Sequence, residues 1–205
     1  MSAITIRRAG GADLEALVPA YAAATADEAT NAWVASAGPV PEDAYAQYLT
    51  ESLRDHLTDD EVWVAERDGD IAGISVWRQV VSADQLKLEA DRAAALAEST
   101  GLAVLRRAET ALRATGAAHP DRFPHLYLYL IAVAPEHRGA GAGGAMLRER
   151  LAVADRERTP AYLEASTEDS ARLYKRCGFE ETGERIQLPE SGPRLIPMWR
   201  EPAGS

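Results

Sequence analysis

The residues that could do chemistry crowd into one stretch, Arg138 to Gly144, which reads RGAGAGG. Gly139, Gly141, Gly143 and Gly144 strip side chains from a turn. An apolar run, Leu126 to Val133, leads into that turn, and Met146, Leu147 and Leu151 leave it at helical spacing. A strand, a glycine turn and a helix start make an anion site. The first-turn N–H groups have no intrahelical partners, and the helix dipole favours negative charge there. Glycine lets the backbone approach a phosphate directly. A ligand-free connection explains the stretch poorly, because each glycine inside a helix costs roughly 1 kcal/mol relative to alanine.

Two kinds of phosphate ligand fit this spacing. Gly139, Gly141 and Gly144 spell G-x-G-x-x-G, and Glu164 follows at about the 20-residue distance of a dinucleotide fingerprint. In that fingerprint the first glycine follows its strand almost at once, whereas Ala134 to Arg138 intervene here, and too few residues follow Glu164 for the remaining βα units. The other fit is R-x-x-G-x-G, from Arg138 to Gly143.

The elements that must position this loop can be read in order. Ile4 to Arg8 alternates as a short strand. Asp13 caps a helix with Leu14, Leu17, Val18 and Tyr21 on one face, and Pro19 predicts a kink or an early end. Thr25 to Pro41 lacks periodicity and reads as a loop near a substrate entrance. Pro41 to Leu57 reads as a helix, with His56 near its apolar face and nothing adjacent in sequence to orient it as a base. Val62 to Glu66 and Ile71 to Gln79 are strands joined by an Asp-Gly turn, a strong hairpin signal. Ser82 to Ala118 is rich in helix formers and interrupted at Gly101, so two helices are expected before the glycine-loop strand. That insertion would cover the acceptor pocket, or form a scaffold cover or dimer surface. After the loop helix come a strand at Ala161 to Ala165, a short helix at Ser166 to Cys177, a strand at Glu180 to Leu188 and a last one at Arg194 to Trp199. Pro197 predicts an edge or bulge position for that last strand.

The 205 residues, 46% hydrophobic, suit one domain spanning 1–205. A net charge of −10 argues against nucleic-acid binding. It suits a cationic substrate weakly. No apolar run approaches the roughly 20 residues of a membrane helix. The opening MSAITIRRAGG has no apolar signal segment, and Cys177 is the only cysteine, so a cytoplasmic location is expected.

A second motif, LEASTEDSARLYKRCGF over 163–179, follows the first. The pair resembles the GNAT acetyltransferase superfamily. There VAPEHRGAGAG is similar to the acyl-CoA pyrophosphate loop, and Leu173-Tyr174 with Gly178-Phe179 to the L/F-Y-x-x-x-G-F of the C-terminal signature. Within it, Val62 to Ala65, Ala132 to Pro135, Leu163 to Ser166 and the helical insertion look most like antibiotic acetyltransferases of the puromycin N-acetyltransferase kind. The resemblance implies an α/β (α+β) GNAT fold: a mixed, mostly antiparallel sheet, splayed at the acyl-CoA site and flanked by helices. It implies acetyl-CoA as cosubstrate, no metal, and direct transfer to the primary amine of a small molecule. A protein N-terminal or lysine acetyltransferase, or a catalytically silent acyl-CoA-binding module, are the alternatives. A monomer or homodimer is expected.

The resemblance also implies roles. The backbone of Ile131, Ala132 and Val133 would pair with the pantetheine amides. Arg138, Gly139, Ala140, Gly141, Ala142, Gly143 and Gly144 would cradle the pyrophosphate. Ser170 stands where relatives often carry Asn, leaving one hydroxyl in place of an amide. Tyr174 is the carried-over acid, its ordinary pKa near 10 exceeding that of a thiol. For the base, Glu164 is nearest by topology, with His125 and Tyr127 behind it and a water relay as the other choice.

Overall fold

The computed structural model describes residues 3–204. Its centre is an eight-stranded sheet: β1 (Thr5–Arg8), β2 (Glu61–Arg67), β3 (Asp70–Val80), β4 (His125–Val133), β5 (Ala161–Ala165), β6 (Glu180–Glu181), β7 (Ile186–Gln187) and β8 (Arg194–Arg200). The order is β1-β2-β3-β4-β5-β8-β6, with β7 also on β8. Every pairing is antiparallel except β4 with β5. The β2–β3 turn places Asp68 and Gly69 at φ 56° and 92°, the two positive values that an Asp-Gly hairpin turn requires.

Two features of β4 shape the site. It pairs with β5 only at Leu126↔Ala161 and Tyr127↔Tyr162. Beyond Tyr127 the strands diverge, leaving the β5-facing backbone of β4 without a strand partner. In addition, Trp77 pairs with Leu128 and Val76 with Leu130, so Tyr129 is a bulge residue. The bulge turns both Tyr129 and Leu130 onto one sheet face, where they pack with Leu17, Leu53, Ile74 and Val76.

Helices cover both faces. α1 (Leu14–Thr25) and α3 (Glu42–Asp59) bury Leu17 and Leu53 against one. α6 (Ala142–Glu157) and α7 (Glu168–Arg176) bury Leu147, Leu151, Ala171 and Tyr174 against the other, on Leu126, Leu128, Leu163 and Met198. The insertion is helical as expected: α4 (Ala83–Thr100) and α5 (Ala103–Ala118) are separated by Gly101 at φ 71°. Among the described residues no helix is long and apolar enough to cross a membrane.

Four expectations are corrected. Thr25 to Pro41 is not a loop throughout. It holds α2 (Ala29–Ala35), started by the Glu28 carboxylate accepting from the N–H groups of Thr30 and Asn31 and anchored by buried Trp33. α1 runs through Pro19 to Thr25, so the early end that Pro19 allowed does not occur. Glu180 to Leu188 is broken into β6 and β7, with Gly183 at φ 65° between them. Finally, β8 is interior rather than an edge. In an antiparallel ladder a residue's N and O point to the same side. The O of Pro197 accepts from Thr182 N–H, so its proton-less N faces the gap after β6, and the β5 ladder loses nothing.

Gly192 closes the β7–β8 turn against α2. A Cβ there would lie 2.8 Å from Leu188 Cβ and 2.8 Å from the Trp33 ring. Gly192→Ala is therefore expected to lower stability by about 1–3 kcal/mol, the range for overpacking. Urea denaturation measures this, and an unchanged midpoint would contradict the packing described.

Candidate active site

The glycine loop enters α6 without a side-chain cap. Gly139 and Gly141 sit at φ 75° and 90°, a conformation that side-chain-bearing residues avoid. The first helical bond runs from Ala145 N–H to Gly141 O, so the N–H groups of Ala142, Gly143 and Gly144 precede the ladder. This is the arrangement that binds phosphate. Gly141→Val puts a branched side chain at a positive φ facing that cradle. We expect acetyl-CoA affinity to fall at least about 10-fold, the loss of one charge-assisted hydrogen bond, with the fold retained. Calorimetric titration alongside circular dichroism reads both. Undiminished affinity would move the cofactor elsewhere.

Arg138 is engaged more than its role implies. Its guanidinium forks onto Asp27 with both N···O distances at 2.6 Å and donates from Nε to Val133 O at 3.0 Å. These bonds hold the Asp27 carboxyl below the usual carboxylate range. Val133 O is thus taken by Arg138, and a pantetheine amide would have to compete for it. Ser170 is likewise occupied, in a capping box with Thr167 at the start of α7: Ser170 N–H donates to Thr167 Oγ1 and Ser170 Oγ accepts from Thr167 N–H.

Tyr174 lies on α7, buried beside Phe179, with ring centroids 6.1 Å apart. Burial pushes its phenol above the ordinary range, and the charge of Glu28 adds to this. Among the described residues its hydroxyl has no hydrogen-bond partner, so it is free to serve a ligand. Glu28, at the start of α2, is a carboxylate near the site that sequence reading missed. It lay in a segment read as loop, and no motif marks it. Cys177 is half-buried, and burial pushes its thiol up, which disfavours the reactive thiolate.

Glu164 points from β5 to the opposite face from Tyr174. Tyr127 Oη donates to its Oε2 at 2.7 Å, and its side chain is 6% exposed. Burial pushes its carboxyl up to about 7, although the Tyr127 and Tyr162 hydroxyls pull the other way. The structure thus brings Glu164, Tyr127 and His125 together, as topology predicted, and adds His119, with Nδ1 3.9 Å from Glu164 Oε1. His119 was missed because it lies just beyond the insertion, outside any motif.

His56 has the orienting partner that the sequence did not reveal: Asp60 Oδ2 lies 2.7 Å from its Nδ1. Arg78 also holds Asp60, at 3.0 Å, and lies over the Tyr129 ring, 3.7 Å from its centroid. The pair ties α3 to the bulge, on the face that carries Glu164.

The sequence matches the acetyltransferase (GNAT) family over residues 25–179, which spans the splay, the glycine loop and both motifs. The chain belongs to the GNAT acetyltransferase family. That family uses acetyl-CoA as cosubstrate, and the uncapped glycine loop and open β4 edge fit it. An acetyltransferase of Corynebacterium glutamicum related to histone acetyltransferase HPA2 is 27% identical, with a TM-score of 0.71, covering 100% of this chain and 99% of that one. An agmatine N-acetyltransferase is 18% identical, with a TM-score of 0.69 and coverage of 97% and 99%. A polyamine N-acetyltransferase of Drosophila melanogaster, which forms N-acetylagmatine, is 19% identical, with a TM-score of 0.67 and coverage of 97% and 100%. The latter two share the fold.

Proposed function

We propose that this GNAT protein is an acetyl-CoA-dependent N-acetyltransferase that moves an acetyl group directly onto the primary amine of a small molecule. The observation that carries this reading is the gap between β4 and β5, with Tyr174 on one sheet face and Glu164 on the other. Acetyl-CoA supplies an activated thioester. The residues of the chain supply the rest. The open edge of β4 at Ile131 and Ala132 offers backbone groups to an extended pantetheine, and the N–H groups of Ala142 to Gly144 face the phosphates. Glu164, on the acceptor side, removes the amine's proton as the N–C bond forms. Tyr174, on the cofactor side, donates to sulfur as the C–S bond breaks. The half-buried, raised-pKa Cys177 supports transfer without an acyl-enzyme. A net charge of −10 favours approach of a cationic amine. The amine acetyltransferases among the structural relatives are consistent with this acceptor class.

Thiol release from acetyl-CoA across a panel tests the reading. The panel holds linear and aromatic amines, an aminonucleoside, and peptides with free N-termini. The expected result is release with at least one small amine and a singly acetylated product. Release with peptides alone would make this a protein acetyltransferase. Binding of CoA without release would make it a silent acyl-CoA module.

A further inference from the structure

Three buried polar atoms meet in one place, Glu164 Oε1, His119 Nδ1 and Tyr162 Oη; among the described residues none makes a well-aligned hydrogen bond, although the Tyr162 hydroxyl lies close enough to Glu164 to help hold its carboxyl down. Leaving a polar group buried and unsatisfied carries the full cost of its desolvation. Three together are not what folding alone selects. The His119 side chain is 2% exposed, and its ring packs edge-on against Tyr127 and Tyr162, with centroids 5.0 and 4.5 Å away.

The hydrogen bonds behind His119 fix its tautomer. His125 Nδ1 lies 2.8 Å from the carbonyl of Arg122, which only accepts, so that nitrogen carries the hydrogen. In neutral His125 the other nitrogen, Nε2, is then a bare acceptor. His119 Nε2 lies 2.8 Å from it and must donate. Neutral His119 is left with a bare lone pair on Nδ1, aimed at Glu164 Oε1 across 3.9 Å. That gap is within ion-pair range and about 1 Å beyond a hydrogen bond, closable by side-chain rotation. The other oxygen of Glu164 is already held by Tyr127. Two acceptors, Glu164 Oε1 and His119 Nδ1, face each other; the single Tyr162 O–H beside Glu164 can serve only one of them, and one added proton between them would satisfy both.

We propose that His119 and Glu164 act as one proton acceptor, with His119, contributed just after the helical insertion, positioning and sharing the proton that Glu164 takes from the acceptor amine. This rests on the proposed transferase function. Empty, the pair is a carboxylate beside a neutral imidazole. Filled, it is neutral overall, so the arriving proton removes the pocket's buried negative charge rather than creating a buried positive one. An amine that arrives cationic first loses one proton to solvent; the neutral nitrogen then loses a second as its bond to the acetyl carbon forms and the C–S bond breaks. That proton goes to Glu164 Oε1 and is shared with His119 Nδ1. The sulfur takes the proton of Tyr174, which solvent restores, and the pair returns its own proton to solvent after product leaves.

The groups facing the pair are Tyr127 and His125 from β4 and Tyr162 from β5, with Trp199 of β8 against His125. Burial lowers the imidazole of His119 to about 3, with His125 adding to this, and also lowers His125. Both therefore stay neutral until a proton is delivered.

The chain has four histidines, so nitrogen NMR of histidine-labelled protein can follow each ring. The expected result is opposite tautomers for His119 and His125, and a His119 Nδ1 signal that responds to one titration near neutral pH. In Glu164→Gln that response should vanish while the His125 tautomer persists. An independent His119 titration, the same in both proteins, would overturn the proposal whether or not any amine is acetylated. With a substrate in hand, His119→Asn adds a kinetic arm. An amide N–H in place of the lone pair favours the carboxylate, so the acid limb of kcat/KM should move to lower pH by about one unit, and the plateau should fall about 10-fold. A lower plateau with an unmoved limb would reduce His119 to a structural role.

Discussion

Tyr174→Phe is expected to lower kcat by about 10-fold to 1000-fold and to leave the KM for acetyl-CoA nearly unchanged. The ring packs in the core with Leu128, Leu163 and Phe179, and phenylalanine preserves that packing. The hydroxyl has no partner among the described residues, so removing it leaves no buried group unsatisfied and should cost little stability. What is lost is a donor to the departing sulfur, where negative charge develops only in the transition state. The raised pKa keeps the phenol protonated throughout the working range, as an acid requires. Steady-state kinetics under conditions where chemistry limits turnover measures the effect. An unchanged kcat would return Tyr174 to a packing role.

Glu164→Gln is expected to cost about 100-fold to 10,000-fold in kcat/KM, the range for a lost general base. It should also remove the pH dependence near neutrality. The carboxyl, raised to about 7, must be ionised to act, so wild-type activity should climb as pH rises through about 7 and level off above it. Stability carries a second signature. A folded-state pKa raised from 4.5 to about 7 gives stability that is full below about 4.5 and lost as pH rises through about 7, on the order of 3 kcal/mol. His119 has the opposite sign. Lowered from 6.5 to about 3, it gives stability present above 6.5 and lost as pH falls through about 3. Between 4.5 and 6.5 the Glu164 slope opposes those of His119 and His125, so the rise of wild-type stability with pH is damped there. Glu164→Gln removes one slope, so the variant should gain stability as pH rises across that window. Denaturation midpoints at several pH values test this, and parallel curves for the two proteins would contradict the assigned shifts.

The backbone features that frame this candidate site were legible in the sequence. The four glycines were legible as a turn at a helix start because glycine there serves backbone geometry rather than packing, as Gly139 and Gly141 at positive φ show. The Asp-Gly hairpin and the Gly101 break in the insertion were legible for the same reason: each is a local backbone requirement written in one or two residues. Tyr174 and Glu164 came from a motif and from strand order. What could not be read depended on long-range pairing. The Tyr129 bulge is a register event between β3 and β4. Pro197 in an interior strand is tolerated only because β6 breaks opposite its nitrogen. α2 is held by Trp33 packing on α5 and the β7–β8 turn rather than by its own periodicity. His119 becomes informative only once α5 delivers it beside Glu164. The Asp27 fork on Arg138 joins residues far apart in the chain, one of them in a segment that read as loop.

The most direct measurement is a crystal structure of the protein with acetyl-CoA bound. Pantetheine density is expected between β4 and β5, with the pyrophosphate on the N–H groups of Ala142 to Gly144, Arg138 turned from Asp27 to the phosphates, and the thioester sulfur beside the Tyr174 hydroxyl. Acetyl-CoA bound outside that gap, or bound there with its sulfur remote from Tyr174, would contradict the assignment of donor site and acid together.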